Sequence, residues 1–279
     1  MQENSYTKTW LTSGAIKTLG LEFGEIRYCD VGEGPLLLLI HTLRTQLDYF
    51  QELIPLLTNR YRVIAIDLPG HGHSSIPLDA RFDEPYFRQS VKDFIQALDL
   101  RQLTIVGESI GGVLALTIAG SLPDLISRVI SLNPYDYGEK FGGGIRRSKY
   151  GSIIALFGAF ESWTIEPSLV LRFVLSGGFY DESNLPAPLF QEFVRVGKRK
   201  GYRQAEYLLY KHWRSWLDAR SLYKSVEAPI ILTYGEDDWS QPEEREERRI
   251  SLSPERYVIF EKSGHFSALE MPEQLANVI

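Results

Sequence analysis

Cysteine is almost missing from this chain: Cys29 is the only one in 279 residues. A disulfide framework within the chain is therefore excluded, and a cytoplasmic home is the default expectation. Cys29 itself reads as a small buried strand residue. Long apolar stretches are missing too. Runs such as Leu36 to Ile40 are far too short to span a bilayer, and Met1 to Ser13 is polar, without the apolar core of a secretory signal. Nor is there an excess of positive charge. The formal net charge is -6 and the pI about 5.5, which argues against nucleic acid as a partner, because phosphate binding needs concentrated Lys and Arg. No internal repeat or low-complexity tract appears. The chain stops at Ile279 soon after a helix opens, so a few further C-terminal residues are expected in the complete protein.

What is present is an ordinary globular composition, 44% hydrophobic and 24% charged, long enough to bury a substantial core. Glu25 to Val31 reads as a strand closed by the turn Gly32-Glu33-Gly34-Pro35. Leu36 to Ile40 has the unbroken apolarity of a strand covered on both faces. Leu47, Phe50, Leu53, Ile54 and Leu57 recur at helical spacing, and Tyr61 to Asp67 is the next strand. Phe87, Val91, Phe94, Ile95 and Leu98 mark an amphipathic helix. Leu103 to Val106 is a strand and Ser109 to Leu122 a helix packed inside. Val129 to Leu132, Pro229 to Tyr234 and Arg256 to Phe260 are further strands. The mixed charges of Glu243 to Arg249 read as a solvated helix face.

Strands alternating with helices predict an α/β fold with a mainly parallel sheet covered on both sides. The alternation breaks between Tyr135 and Val226. Helical spacing replaces it there, in Ile153, Ile154, Phe157 and Phe160, then Leu169, Val170, Phe173 and Val174, then Leu208, Leu209, Trp213 and Trp216. The expected organisation is a core of residues 1–134 and 227–279 interrupted by a helical cap over 135–226, entered through Gly142-Gly143-Gly144.

The strongest local signal is Gly107-Glu108-Ser109-Ile110-Gly111-Gly112, a G-x-S-x-G pattern where a strand ends and a helix begins. A strand turning sharply into a helix strains the central residue and needs small neighbours two positions away. The strain lifts the Ser109 hydroxyl over the sheet. The amide of Ile110, at the helix N-terminus, points where an oxyanion develops. Glu108 is assigned no chemistry. The plain alternative is a chance glycine–serine–glycine turn.

A serine hydroxyl needs a base. Of the five histidines, only His265 follows every plausible acid in the order serine, acid, histidine. The acid should leave the preceding strand, and Tyr234-Gly235-Glu236-Asp237-Asp238-Trp239-Ser240-Gln241-Pro242 follows at once. The spacing from Gly235 and to Pro242 selects Asp238, with Asp237 as fallback and Asp136 as a weaker alternative. The acid accepts a hydrogen bond from the imidazole nitrogen facing away from Ser109 and fixes the tautomer.

These features together resemble the α/β-hydrolase fold superfamily, on both sides of the cap. The matching segments are the G-E-S-I-G-G elbow, Asp67-Leu68-Pro69-Gly70-His71-Gly72-His73-Ser74, the G-E-D-D segment, and Ser263-Gly264-His265-Phe266 followed by Glu270 and Pro272. The resemblance implies that D-x-P-G-x-G-x-S is a structural turn, so that His71 and His73 carry no chemistry. It also implies a second oxyanion amide after the strand ending at Ile40. Members have His-Gly there. This chain has His41-Thr42-Leu43-Arg44-Thr45, which gives the amide to Leu43 by position and puts a β-branched residue where glycine is usual. Members with an aspartate nucleophile are disfavoured by the serine at 109.

Arg44 has two readings. It can bind a substrate carboxylate or phosphate through its planar fork, or form a salt bridge, for example to Asp48. Phe157, Trp163 and Trp213, with Phe160 and Trp216, line an acyl pocket or form the cap's own core. The chemistry expected is hydrolysis of an ester, thioester or lactone with an apolar acyl part, without metal or organic cofactor. Rivals are carbon–carbon cleavage of a keto-acid, a ligand receptor with little turnover, and a peptidase using Glu161 or Glu166 to bind an amine. The expected partners are a small-molecule substrate and a second copy of the chain in a homodimer.

Overall fold

A computed structural model describes residues 6–12, 14–138, 143–151 and 168–279. Eight strands form one sheet: β1 (Ile16–Leu21), β2 (Gly24–Val31), β3 (Leu36–Ile40), β4 (Arg62–Ile66), β5 (Leu103–Glu108), β6 (Ile126–Leu132), β7 (Ile230–Gly235) and β8 (Arg256–Phe260). Their order is β1-β2-β4-β3-β5-β6-β7-β8. β2 runs antiparallel to both β1 and β4, and every other pairing is parallel. The fold is therefore the α/β sandwich that the alternation predicts, with an antiparallel margin that it does not.

Physical chemistry explains the placement. Leu37 to Ile40 and Val63 to Ile66 are wholly buried, as strands covered on both faces must be. The Glu84–Ala97 helix starts where the Asp83 carboxylate accepts a 3.1 Å bond from the Tyr86 amide, a standard N-cap. Its apolar stripe of Phe87, Val91, Phe94 and Ile95 turns inward. The Ile110–Ser121 helix has no polar side, and Ile110 to Ala119 are buried throughout.

Two expectations need correction, and one strand is added to those the pattern marks. The helical spacing from Leu47 to Leu57 is realised as a 3-10 turn, Leu47–Phe50, and a separate short helix, Ile54–Leu57. Pro55 lacks the N–H that would continue a helix from Gln51, so the chain restarts there. The added strand is β1, along which exposed and half-buried positions mix, so that no clean alternation of apolar residues marks it. Lastly, Arg248 does not share the solvated face of the Pro242–Leu252 helix. It turns inward to Asp136 at 2.9 Å.

Among the described residues between β6 and β7 there are helices at Ser168–Ser176, Ala187–Val196, Tyr202–Lys211 and Arg214–Asp218, and no strand. Two buried acids from this segment meet the sheet's loops. Glu206 accepts from Arg44 Nε at 3.3 Å and from Tyr210 at 2.9 Å, and lies 3.3 Å from His71 Nε2. Glu192 lies 3.3 Å from His73 Nε2 and accepts from Gln46 at 3.4 Å.

Candidate active site

β5 runs into the Ile110–Ser121 helix through Ser109, whose φ of 61° and ψ of -117° are strained for a residue with a side chain. The flanking glycines allow the bend. A Cβ on Gly107 would strike the backbone of Gly111, and one on Gly111 would strike the carbonyls of Ile40 and His41. The elbow thus rests directly on the end of β3.

His265, on the loop after β8, brings Nε2 to 2.9 Å from Ser109 Oγ. Its Nδ1 meets Asp238 Oδ1. With Nδ1–H donated to the carboxylate, Nε2 is free to accept the serine proton. The other carboxylate oxygen of Asp238 accepts from the Ser240 amide at 2.8 Å and from the Ser240 hydroxyl. Burial works against ionisation of Asp238, but His265 and the Ser240 donors outweigh it and hold its pKa below the usual carboxylate value. Of the three acids weighed from the sequence, Asp238 is the one brought to the imidazole. Asp237 is exposed, and Asp136 accepts from Tyr223 at 2.8 Å besides pairing with Arg248.

The histidine loop is fixed from below. Glu108, fully buried, accepts hydrogen bonds from Tyr49 (2.6 Å), Asn133 Nδ2 (2.9 Å), the Ser267 amide (2.7 Å) and the Ala268 amide (3.3 Å). Burial pushes its pKa up to about 7, against the pull of these donors. On the other side, Glu270 accepts from the amides of Gly264 (2.6 Å) and Tyr180 (2.7 Å). Burial pushes Glu270 up to about 7 as well.

The loop after β3 holds the proposed oxyanion region. Ile110 N–H opens its helix, where the first amides lack intrahelical acceptors, and Leu43 is half-buried against the core. His41 is buried, accepts from the Leu68 amide on Nε2 at 3.0 Å, and meets the Thr42 carbonyl from Nδ1 at 2.7 Å. Burial lowers its pKa to about 3, so the ring is neutral with its proton on Nδ1. The left-handed backbone in this loop falls on Arg44, at φ 61°, and not on Thr42. Thr42 therefore does not need the freedom of the glycine it replaces.

Arg44 pairs with Glu206 instead of Asp48, which is committed to Arg27, Thr7 and Trp10. Arg44 also borders a cavity of about 140 Å³ shared with Phe193, Lys198, Tyr202 and Arg203. Trp213 is buried and packs on Tyr135, ring centroids 5.0 Å apart, and Tyr135 stands 5.7 Å from the His265 ring. Phe157, Phe160, Trp163, Glu161 and Glu166 lie outside the described residues. Asn133, Tyr135, Ser240 and Trp239 also serve the site. Trp239 and Ser240 follow Asp238 directly in sequence, yet the place of the indole on the imidazole is set by tertiary packing and leaves no mark in residue spacing.

The chain belongs to the alpha/beta hydrolase fold family, whose model matches residues 35–272. It is a hydrolase of that fold. Among curated proteins it is similar to the pimeloyl-acyl-carrier-protein methyl ester esterase of Neisseria meningitidis serogroup C, with 26% identity over 242 residues, covering 85% of this chain and 89% of the relative. Among solved structures it is similar to a membrane phospholipase A described as a bacterial virulence factor, with TM-score 0.76 and 26% identity over 94% of this chain and 83% of the other. Wild-type Cfl2 from Burkholderia cenocepacia shares the fold, with TM-score 0.77 and 17% identity over 94% of this chain and 93% of the other. No helix among the described residues is long and apolar enough to cross a membrane.

Proposed function

We propose that the protein is a carboxylic ester hydrolase working through an acyl-enzyme on Ser109. The observation that carries this reading is the hydrogen-bonded chain from Ser109 Oγ through His265 to Asp238. Ser109 Oγ attacks the substrate carbonyl while His265 Nε2 takes its proton. The amides of Ile110 and Leu43 hold the oxyanion. As the tetrahedral intermediate collapses, His265 gives the proton to the leaving alcohol or thiol. Water, deprotonated by the same ring, then attacks the acyl-enzyme and releases the acid and free Ser109.

The substrate class is an ester, thioester or lactone of small to medium size with an apolar acyl part. The aromatic surroundings of His265, namely Tyr135, Trp239 and Phe266, favour such a part, and the esterase and phospholipase names of the relatives agree with it. In this reading residues 135–226 act as a cap over the serine, and the buried Trp213, packed on Tyr135 beside His265, belongs to the acyl side of the site. The sole, buried cysteine fits a cytoplasmic setting. Carbon–carbon cleavage of a keto-acid is less favoured, because Arg44, its natural carboxylate partner, is engaged by Glu206.

The test is labelling with a fluorophosphonate probe followed by turnover of p-nitrophenyl esters. Wild-type protein should do both and Ser109→Ala neither. Substantial turnover by Ser109→Ala removes the reading. Labelling without repeated turnover points instead to a ligand receptor.

A further inference from the structure

One ring lies parallel to the imidazole of His265 among the described residues. The indole of Trp239 covers it with centroids 4.1 Å apart and planes inclined by 19°. Tyr135 and Phe266 meet the same ring at steep angles, 73° and 77°. The acyl-transfer steps above give this stacked indole nothing to do.

The indole is held in place from the β6–β7 segment. Its Nε1–H donates to the Gly177 carbonyl at 3.0 Å. The next carbonyl, of Gly178, accepts the His265 backbone N–H at 2.6 Å. A Cβ on Gly178 would collide with the Phe266 ring and come within 2.7 Å of the indole. The stretch Gly177–Gly178 therefore fixes both the indole and the backbone of the residue it covers.

An aromatic face carries negative π density and attracts a cation placed over it. His265 takes up the serine proton, and with it a positive charge, in each tetrahedral transition state. The contact is thus stronger in the transition state than in the resting enzyme, which is the kind of contact that accelerates a reaction. We propose that Trp239 is a positioning residue that stabilises the protonated His265 ring by lying face to face on it. This inference rests on the serine-hydrolase reading.

Other groups act on the same ring and stay constant in the comparison. Asp238 holds Nδ1, and Ser109 faces Nε2. Arg245 reaches the Asp238 carbonyl at 3.2 Å and Ser240 Oγ at 2.9 Å. Glu108 and Glu270 grip the neighbouring amides of Ser267 and Gly264.

The experiment follows kcat/KM against pH on a p-nitrophenyl ester for wild type, Trp239→Phe and Trp239→Leu. Losing the indole removes stabilisation of the cation, so the acid limb moves to lower pH. The expected shift in Trp239→Leu is about half a unit or more, with a smaller shift in Trp239→Phe and a lower kcat. An acid limb that stays in place in folded Trp239→Leu overturns the proposal and leaves Trp239 as packing.

Should Trp239→Leu fail to fold, fluorinated tryptophan replaces the native residue without changing ring shape. The acid limb should then shift stepwise with fluorination in wild type but not in Trp239→Phe carrying the same analogue. An equal response in both overturns the idea. NMR titration of the His265 ring reads the same shift without turnover. An inactive wild type with a Trp239-dependent titration thus condemns the esterase reading alone, and an active one with an unmoved titration condemns the stacking role alone.

Discussion

Asn133 Nδ2 donates to Glu108 Oε1 at 2.9 Å and to the His265 carbonyl at 3.1 Å, so the residue beside the nucleophile and the loop carrying the imidazole share one amide. Asn133 reaches this position with a left-handed φ of 45° at the end of β6. Its Oδ1 accepts the Gly235 amide at 2.8 Å, tying in the strand that delivers Asp238.

Glu108→Gln turns an acceptor toward four donors into a group that must face one of them with its own NH2. The expected loss of stability is about 1–3 kcal/mol, measured by urea unfolding. Burial raises the folded pKa of Glu108 to about 7, above the unfolded value of about 4.3. Its contribution to stability is therefore full below about pH 4 and is lost as pH rises towards 7. Glu108→Gln should flatten that part of the stability–pH curve.

Asp238→Asn and Asp237→Asn separate the two adjacent acids. On the proposed mechanism Asp238→Asn supports the wrong tautomer of His265 and should lower kcat by about ten-thousand-fold. Asp237, exposed at the turn, should leave kcat within about twofold when changed to Asn, since an exposed charge is worth little. Steady-state kinetics on one ester reads both.

The Arg44–Glu206 pair is buried at both ends. A double-mutant cycle of Arg44→Ala and Glu206→Gln should return a coupling of about 0.5–3 kcal/mol in unfolding free energy. Arg44→Ala should slow neutral and anionic esters alike. A loss confined to anionic esters would return Arg44 to the substrate.

Asp67 accepts from the amides of Leu47 and His73, both at 2.7 Å, and pairs with Arg27 at 2.8 Å. Burial raises its pKa, but the Arg27 guanidinium and these amides prevail and depress it. Its stabilisation is present at neutral pH and lost as pH falls from the unfolded value through the depressed folded one. Asp67→Asn should cost about 3–5 kcal/mol, as breaking a buried pair does, and should remove this acid sensitivity from thermal melts.

Much of this was legible in residue spacing. β3 and β8 run over the same residues that the apolar pattern marks; glycine spacing singles out Ser109 and Asp238 and chain order singles out His265, the three side chains that the structure links by hydrogen bonds. Pattern fails where a single residue overrides it, as Pro55 does in the stretch after β3. It is silent on contacts made across a hundred residues or more. Nothing local marks Glu192 and Glu206 as the acids that receive His73, His71 and Arg44, because the pairing exists only once the segment has docked. Trp239 shows the same silence at shorter range, since nothing local marks its ring as the one that stacks on His265.

The thiol of Cys29 is sealed within β2, and burial pushes its pKa up to about 12. Alkylating reagents need a thiolate they can reach, so the native protein is a blank background for spectroscopic tags. A cysteine introduced on the exposed side of the Tyr202–Lys211 helix would carry a fluorophore alone and report how that helix moves. Cys29 would then take up reagent only in molecules that have opened, which turns the rate of its modification into a clock for unfolding.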